Sequence, residues 1–322
     1  MKQMAIPLHE AAGIGQGNVD TLISVRGLRM MYGGFEAVRG IDFEVRRGEI
    51  FAVLGPNGAG KTTTLEILEG YRRRTDGTIT VLGEDPARAG GDWRARIGVV
   101  LQESQPEPEL SVRECLALYA GYYPAPRPVD ETLELVGLVE KRAALCGRLS
   151  GGQRRRLDVA LALIGDPELV FLDEPTTGFD PAARRAAWEV IAGLRSLGKT
   201  IVLTTHYMEE AQELADRIIV IAAGRVVAEG APASLGGRDA AASLIRFTLP
   251  AGMVVSDLPP AMAACVSASP GRRVELRDIH PLPQLGLLAA WAADHGLDLP
   301  DLEVSRPTLE EIYLKLTDGG AP

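Results

Sequence analysis

The chain has 322 residues, 46% of them hydrophobic and 24% charged, with a formal charge of −9 from 34 basic and 43 acidic side chains. That is the composition of a folded protein with length for about two domains, and it excludes a chain disordered throughout. Its acidity excludes a broad electrostatic footprint for DNA or RNA, so no nucleic-acid partner is expected.

Apolar runs such as Ile218–Ala223 end far short of the roughly 18–20 residues of a membrane span. Residues 1–20 read as a flexible leader. They lack the charged start and apolar run of a secretory signal, and a cytoplasmic location is expected. Cys115, Cys146 and Cys265 form no C-x-x-C pair, which suits ordinary thiols better than a disulfide framework or a zinc site.

Predicted elements begin at Thr21. Leu22–Val25 and Ile41–Val45 read as strands, the second alternating apolar and polar as a half-buried strand does. Ile50–Leu54 is continuously apolar and runs into a glycine-rich turn, with a helix predicted from Lys61. Strand, glycine loop and helix open an α/β nucleotide-binding fold.

Residues 103–148 change texture, with Pro106 and Pro108 and then Ser111-Val112-Arg113-Glu114 as a capping box ahead of Leu116, Tyr119 and Tyr122. An inserted helical subdomain is expected there, continuing through the next helix to about residue 165. Strands resume at Leu169–Leu172, Thr200–Thr204 and Ile218–Ile221 with helices between them, the order of a mostly parallel, covered sheet. The composition shifts at Gly236-Gly237. Beyond it come strands with Ile245, Phe247 and Leu249 on one face, at Val274 and Leu276, and at Leu302–Val304. A helix over Pro283–His295 and a last one capped by Thr308 with Glu311 complete a small α+β domain. The last helix is expected to pack on it through Leu309, Ile312, Tyr313 and Leu316.

Three motifs carry chemistry. Gly55-Pro56-Asn57-Gly58-Ala59-Gly60-Lys61-Thr62 fits the phosphate-loop pattern between a strand and a helix. Its glycines let backbone N–H groups turn around phosphates at a helix N-terminus. Lys61 then holds the β and γ phosphates and the Thr62 hydroxyl holds Mg²⁺. Leu169–Leu172 ends in Asp173-Glu174, so an apolar strand delivers one carboxylate for Mg²⁺ and one to orient the attacking water. Leu149-Ser150-Gly151-Gly152-Gln153 opens a helix whose Leu157, Ala160, Leu161 and Ile164 recur at helical spacing, a second anion-binding helix start.

Together these motifs resemble the nucleotide-binding subunit of ABC transporters over residues 21–235. The fold class implied is an α/β P-loop NTPase core of the ABC ATPase type with its helical subdomain, and residues 240–322 are left as an accessory or regulatory domain. The resemblance assigns Tyr32 to adenine and Gln102 to ATP and Mg²⁺. It makes Asp180 the aspartate of the dimer loop and His206 the switch histidine, adds Thr63 to the phosphate loop, and implies ATP and Mg²⁺ as cofactors. It also implies a dimer, most simply a homodimer, in which Ser150, Gly151, Gly152 and Gln153 of one subunit cover the ATP of the other. A separate integral membrane permease is implied at the inner face of the cell membrane, docked near Gln102. Phe179 departs from the leucine usual before that aspartate and is expected to change packing at the dimer interface. The tail Ser305–Leu314 resembles ATPase subunits of ABC-2 type exporters of the daunorubicin and doxorubicin resistance kind, which implies export of a drug, antibiotic or other hydrophobic compound. A soluble ABC ATPase of translation or DNA repair is the competing expectation, although one cassette without a coiled-coil arm or cysteine pairs fits it poorly. A P-loop kinase would leave Leu149–Gln153 unexplained.

Overall fold

A computed structural model describes residues 20–100, 106–237 and 241–318, the last four through their backbone alone. Strands β1 (Thr21–Tyr32) and β2 (Phe35–Arg46) form an antiparallel hairpin about Gly33–Gly34, longer than the two short strands expected. β3 (Ile50–Leu54) leads through the glycine loop into α1 (Lys61–Leu68), and β4 (Asp76–Val81) returns to pair with β1. Helix α2 (Gly91–Ala95) and strand β5 (Ile97–Val100) follow, and then the helices α3 (Val112–Ala120), α4 (Val129–Leu135) and α5 (Gly151–Leu163). Alternating elements come next: β6 (Leu169–Asp173), α6 (Pro181–Ser196), β7 (Thr200–Thr205), α7 (Met208–Leu214), β8 (Arg217–Ala222) and β9 (Arg225–Gly230).

The main sheet has the order β5-β6-β7-β3-β8-β9, parallel except for the β8–β9 hairpin. Every residue of β3 and β6 is buried, which explains their unbroken apolar sequences. Alternation along β3 sends Ile50, Ala52 and Leu54 into one hydrophobic cluster and Phe51 and Val53 into the other, one on each face of the sheet. The first cluster also takes in the helical insertion through Leu116, Leu133, Leu157 and Ile164. The Ser111–Glu114 capping box is present as the sequence predicts. Cys115 and Cys146 are free and buried, and burial pushes the Cys115 thiol up to about 12, so it is inert as a nucleophile.

The register pairs Leu54 with Thr205 and Asp173 with Thr204. This sets the carboxyl ends of β3, β6 and β7 level, the edge at which open α/β sheets bind ligands.

Beyond residue 240 a second antiparallel sheet has the order β11-β12-β10-β13, built from β10 (Ser243–Thr248), β11 (Val266–Ala268), β12 (Arg273–Asp278) and β13 (Glu303–Ser305). Helices α8 (Pro260–Ala263) and α9 (Pro281–Asp294) accompany it, and Ile245, Phe247, Leu276, Leu288 and Trp291 fill its core. The final helix, α10 (Leu309–Asp318), corrects one expectation. Leu309 and Tyr313 are buried in the cluster of the ATPase sheet, beside Ala211, Leu214 and Leu235, and not in the core of the small domain. Amphipathic spacing showed that one face must be covered, but it carries no information on which surface covers it. The Leu316 side chain lies outside the described residues.

Candidate functional site

The loop after β3 wraps tightly. A Cβ on Gly60 would meet the Ala37 carbonyl oxygen at 2.7 Å, and one on Gly55 the Ile221 carbonyl oxygen at 2.3 Å, so both positions exclude a side chain. Gly60 also has φ 102, the left-handed region open to glycine. Gly55 and Ala59 are buried behind the loop, while Asn57, Gly58 and Gly60 face a cavity of about 390 Å³. Lys61, Thr62, Thr63, Glu174 and Tyr32 complete most of its wall. Phe35 and Ala37 line it too, and the sequence reading missed them. Phe35 follows directly on the Gly33-Gly34 turn from Tyr32 and is 58% exposed, a signal that an aromatic pair sits at the cavity mouth. The Tyr32 hydroxyl lies 3.3 Å from Thr63 Oγ1.

At the cavity floor the charged groups converge. Lys61 is buried, with Nζ donating to the carbonyls of Gly55 at 3.0 Å and Pro56 at 3.2 Å. The same ammonium lies 3.5 Å from Glu174 Oε1, and His206 Nδ1 lies 3.3 Å from Glu174 Oε2, outside hydrogen-bonding angles. Thr177 Oγ1 donates to Glu174 Oε2 at 3.0 Å. Burial pushes the Glu174 carboxyl up, but the Thr177 hydroxyl, Lys61 and His206 together outweigh it and hold the group below its ordinary value. It is therefore a carboxylate at neutral pH.

Glu174 has φ 45, a left-handed conformation unusual for a side chain of its size. Two elements hold it there. From β7, Thr204 takes the Glu174 N–H on its hydroxyl at 3.0 Å. From α5, the buried Arg155 donates to the carbonyls of Asp173 at 2.9 Å and Pro175 at 3.1 Å, one on each side of Glu174. Arg155 was not singled out in the sequence; an arginine beside the apolar positions of an amphipathic helix was its only mark.

Thr62 Oγ1 and Asp173 Oδ1 are 3.4 Å apart, and Thr204 Oγ1 also donates to Asp173. One hydroxyl and one carboxylate are hard oxygen donors of the kind Mg²⁺ takes when phosphates and waters fill its other positions. Among the described residues no cluster of three or more His, Cys, Asp or Glu side chains offers an all-protein metal cage. Gln102, the third residue expected at the metal, lies outside the described residues.

The second glycine motif stands apart. Ser150 caps α5 in a reciprocal box with Gln153, and these residues with Gly151 and Gly152 line a separate cavity of about 610 Å³ together with Phe179 and Asp180. The two cavities share no lining residue. Asp180 accepts the Ala183 N–H at 2.8 Å and thereby caps α6. Thr177 joins the two regions: it lines the second cavity and hydrogen-bonds Glu174 in the first.

The ABC transporter family model matches residues 38–177, and a C-terminal domain family of ABC transporter domain-containing-like proteins matches residues 243–308. The Nod factor export ATP-binding protein I of Ralstonia nicotianae is 40% identical over 92% of this chain and 94% of its own length. The daunorubicin resistance ATP-binding protein DrrA3 of Streptomyces coeruleorubidus is 39% identical over 92% of this chain and 96% of its own. Among solved structures, cbiO1 of Clostridium perfringens, part of the ABC transporter complex cbiONQ, has a TM-score of 0.61 at 30% identity, covering 67% of this chain and 90% of that one. A dimeric ATP-binding cassette bound to ADP and Pi in a post-hydrolysis state has a TM-score of 0.59 at 25% identity, covering 65% and 98%. A phosphate loop, a paired-carboxylate strand end and a capped glycine helix start, on a chain this similar to such relatives over nearly its whole length, place it in the family of ATP-hydrolysing, ATP-binding subunits of ABC transporters, on the branch whose members are named for export.

Proposed function

We propose that this ATPase binds Mg·ATP in the cavity of the glycine loop and uses its hydrolysis to drive export of a drug, antibiotic or other hydrophobic compound through a separate membrane permease. The observation that carries the site assignment is the placement of Glu174, within 3.5 Å of Lys61 and 3.3 Å of His206 at the cavity floor.

In this reading Tyr32, with Phe35 beside it, offers an aromatic face to adenine. The backbone N–H groups of Asn57, Gly58 and Gly60 to Thr63 and the Lys61 ammonium hold the phosphates. Thr62 and Asp173, with Gln102, hold Mg²⁺, which supplies charge neutralisation at the phosphate oxygens when bound. Glu174 accepts a hydrogen bond from the water and orients it toward the γ phosphorus, and His206 holds that phosphate from the β7 side. The barrier falls through positioning and fixed charge.

Because the Ser150–Gln153 cavity shares no wall with the ATP cavity of the same chain, its helix N-terminus is free to meet the γ phosphate of a second subunit, with Asp180 and Phe179 beside it. ATP then joins two chains and its hydrolysis releases them, a stroke delivered to the permease at the inner face of the membrane. Among the described residues no helix is long and apolar enough to cross a membrane, and in this reading the translocation path belongs to the separate permease. The relatives named for Nod factor export and daunorubicin resistance support export as the direction.

The test is affinity isolation of tagged Glu174→Gln protein with ATP from detergent-solubilised membranes. A dimer that retains ATP and brings down a polytopic membrane protein is the expected result. Recovery from the soluble fraction with ribosomes or nucleic acid would overturn it in favour of a soluble ABC machine, and wild-type hydrolysis by Glu174→Gln would overturn the assignment of Glu174.

A further inference from the structure

The terminal helix belongs to the ATPase core. Only Arg306, Pro307 and Thr308 separate the end of β13 from α10. The start of α10 is fixed by a reciprocal cap, in which the Thr308 N–H donates to Glu311 Oε2 and the Glu311 N–H to Thr308 Oγ1, both at 3.1 Å. Leu309 and Tyr313, one turn apart, are 1% and 8% exposed. They share a cluster with Ala211 and Leu214 of α7 and with Leu235, the residue at which the chain leaves for the small domain. Both connections of the small domain are therefore anchored in the same apolar cluster, with α10 packed on α7 and on the turn at Leu235.

α7 is also the helix that carries the switch. It starts at Met208, two residues after His206. On its other contacts it is clamped by polar bonds, for the fully buried Glu210 accepts from Thr176 Oγ1 at 2.7 Å and from Trp188 Nε1 at 3.1 Å. These tie α7 to the loop that follows Glu174 and to α6. A close-packed helix held on two sides responds to a change on either as a unit, because its interior is not compressible enough to absorb the shift locally. Displacing α10 must then move the first turn of α7 and the 3.3 Å contact between His206 and Glu174.

We propose that Leu309 and Tyr313 are positioning residues for His206, acting through α7, so that the rate of hydrolysis depends on how the small domain is seated. The inference rests on the reading of His206 as a group of the hydrolytic site.

The experiment uses the full chain and compares His206→Ala, Leu309→Ala, Tyr313→Ala and Tyr313→Phe in steady-state ATP hydrolysis, ATP affinity and the imidazole NMR signals. The sequence has four histidines, and His206→Ala identifies the signal of His206. Tyr313→Ala and Leu309→Ala are expected to lower kcat by about tenfold or more, toward the roughly hundredfold that a 1 Å misplacement from a remote substitution costs. KM and ATP affinity stay constant, and the His206 signal shifts. Tyr313→Phe, which keeps the ring in the core, retains more of kcat and a more native signal than Tyr313→Ala. Should Tyr313→Ala not fold, Leu309→Val gives the same readouts with a smaller loss. An unchanged kcat and His206 signal in variants with a lowered Tm would overturn the proposal. Parallel loss of kcat and ATP affinity would overturn it too, since that marks a purely structural role. If His206→Ala itself hydrolyses at the wild-type rate, the failure lies with the site reading instead.

Discussion

Thr204 and Glu174 are joined twice: the Glu174 N–H donates to the Thr204 carbonyl at 3.2 Å and to its hydroxyl at 3.0 Å. The same hydroxyl donates to Asp173. One β-branched residue on β7 thus fixes both carboxylates at the end of β6, the one read as facing Mg²⁺ and the one read as facing water. Thr204→Val keeps the shape and removes the hydroxyl. It leaves a buried carboxylate oxygen short of a donor, at a cost of about 1–3 kcal/mol. Hydrolysis should fall roughly tenfold or more, since 1.4 kcal/mol is a factor of ten in rate. The KM for ATP should change little, because the nucleotide cavity is not lined by Thr204. Steady-state kinetics decide it, and wild-type kcat in Thr204→Val would show that Arg155 alone suffices to hold Glu174.

The glycine loop makes a second prediction, about binding. Gly60→Ala places a methyl 2.7 Å from the Ala37 carbonyl oxygen at φ 102, a conformation that costs an L residue about 1–2 kcal/mol before any clash. The backbone N–H groups read as facing the phosphates must then shift. ATP affinity should drop more than about tenfold by the same free-energy scale, with a lower Tm. Gly58→Ala, where no neighbour lies within 4 Å, should bind more nearly like wild type despite its positive φ. Equal loss in both variants would point to φ alone and away from the close approach at Gly60.

Much of this was legible in the sequence, and for physical reasons. A strand buried on both faces has no polar alternation to hide, so Ile50–Leu54 and Leu169–Leu172 stood out. The Ser111–Glu114 and Thr308–Glu311 caps are local chemistry, and local chemistry survives folding. What stayed hidden depended on which elements meet. Nothing in the sequence said that Arg155 reaches back to the peptide on either side of Glu174, or that Thr204 sits level with Asp173. Leu309 and Tyr313 reveal an apolar face, yet their burial against α7 is a tertiary choice. Deletion of residues 240–322 would consequently strip part of the ATPase core, a larger injury than the loss of an appended domain.

Arg184 supplies a third prediction. Its guanidinium carbon lies 4.1 Å over the Tyr207 ring, and that ring is centred 4.1 Å from the ring of His206. Arg184 Nε is buried and makes no hydrogen bond, so the aromatic face is the contact that the geometry provides for it. A cation held this way is worth about 1–2 kcal/mol. Arg184 lies in the first turn of α6, the helix capped by Asp180, so the stack runs from the expected dimer loop toward Glu174. Arg184→Ala and Tyr207→Ala should each slow hydrolysis severalfold, about what 1 kcal/mol provides. Tyr207→Phe should keep most of the rate. The double Ala variant tests coupling in a mutant cycle; strictly additive effects would show that Arg184 and His206 are not connected through the ring.

The last prediction concerns acidity at the end of α1. Burial pushes the Glu69 carboxyl up to about 8, with help from the neighbouring charges of Asp173 and Glu66. In the unfolded chain the same group titrates near 4.5. The folded state therefore keeps a proton that the unfolded state releases earlier, and the stability this provides is fully present below the unfolded value and lost as pH rises through the folded one. Glu69→Gln carries the neutral form at every pH. Its Tm should match wild type near pH 4, below the unfolded value, and exceed it at about pH 9, measured without Mg²⁺ or nucleotide so that the charge on Asp173 stays unscreened. A difference that is the same at both pH values would mean that water reaches Glu69 and that it ionises as an ordinary surface glutamate.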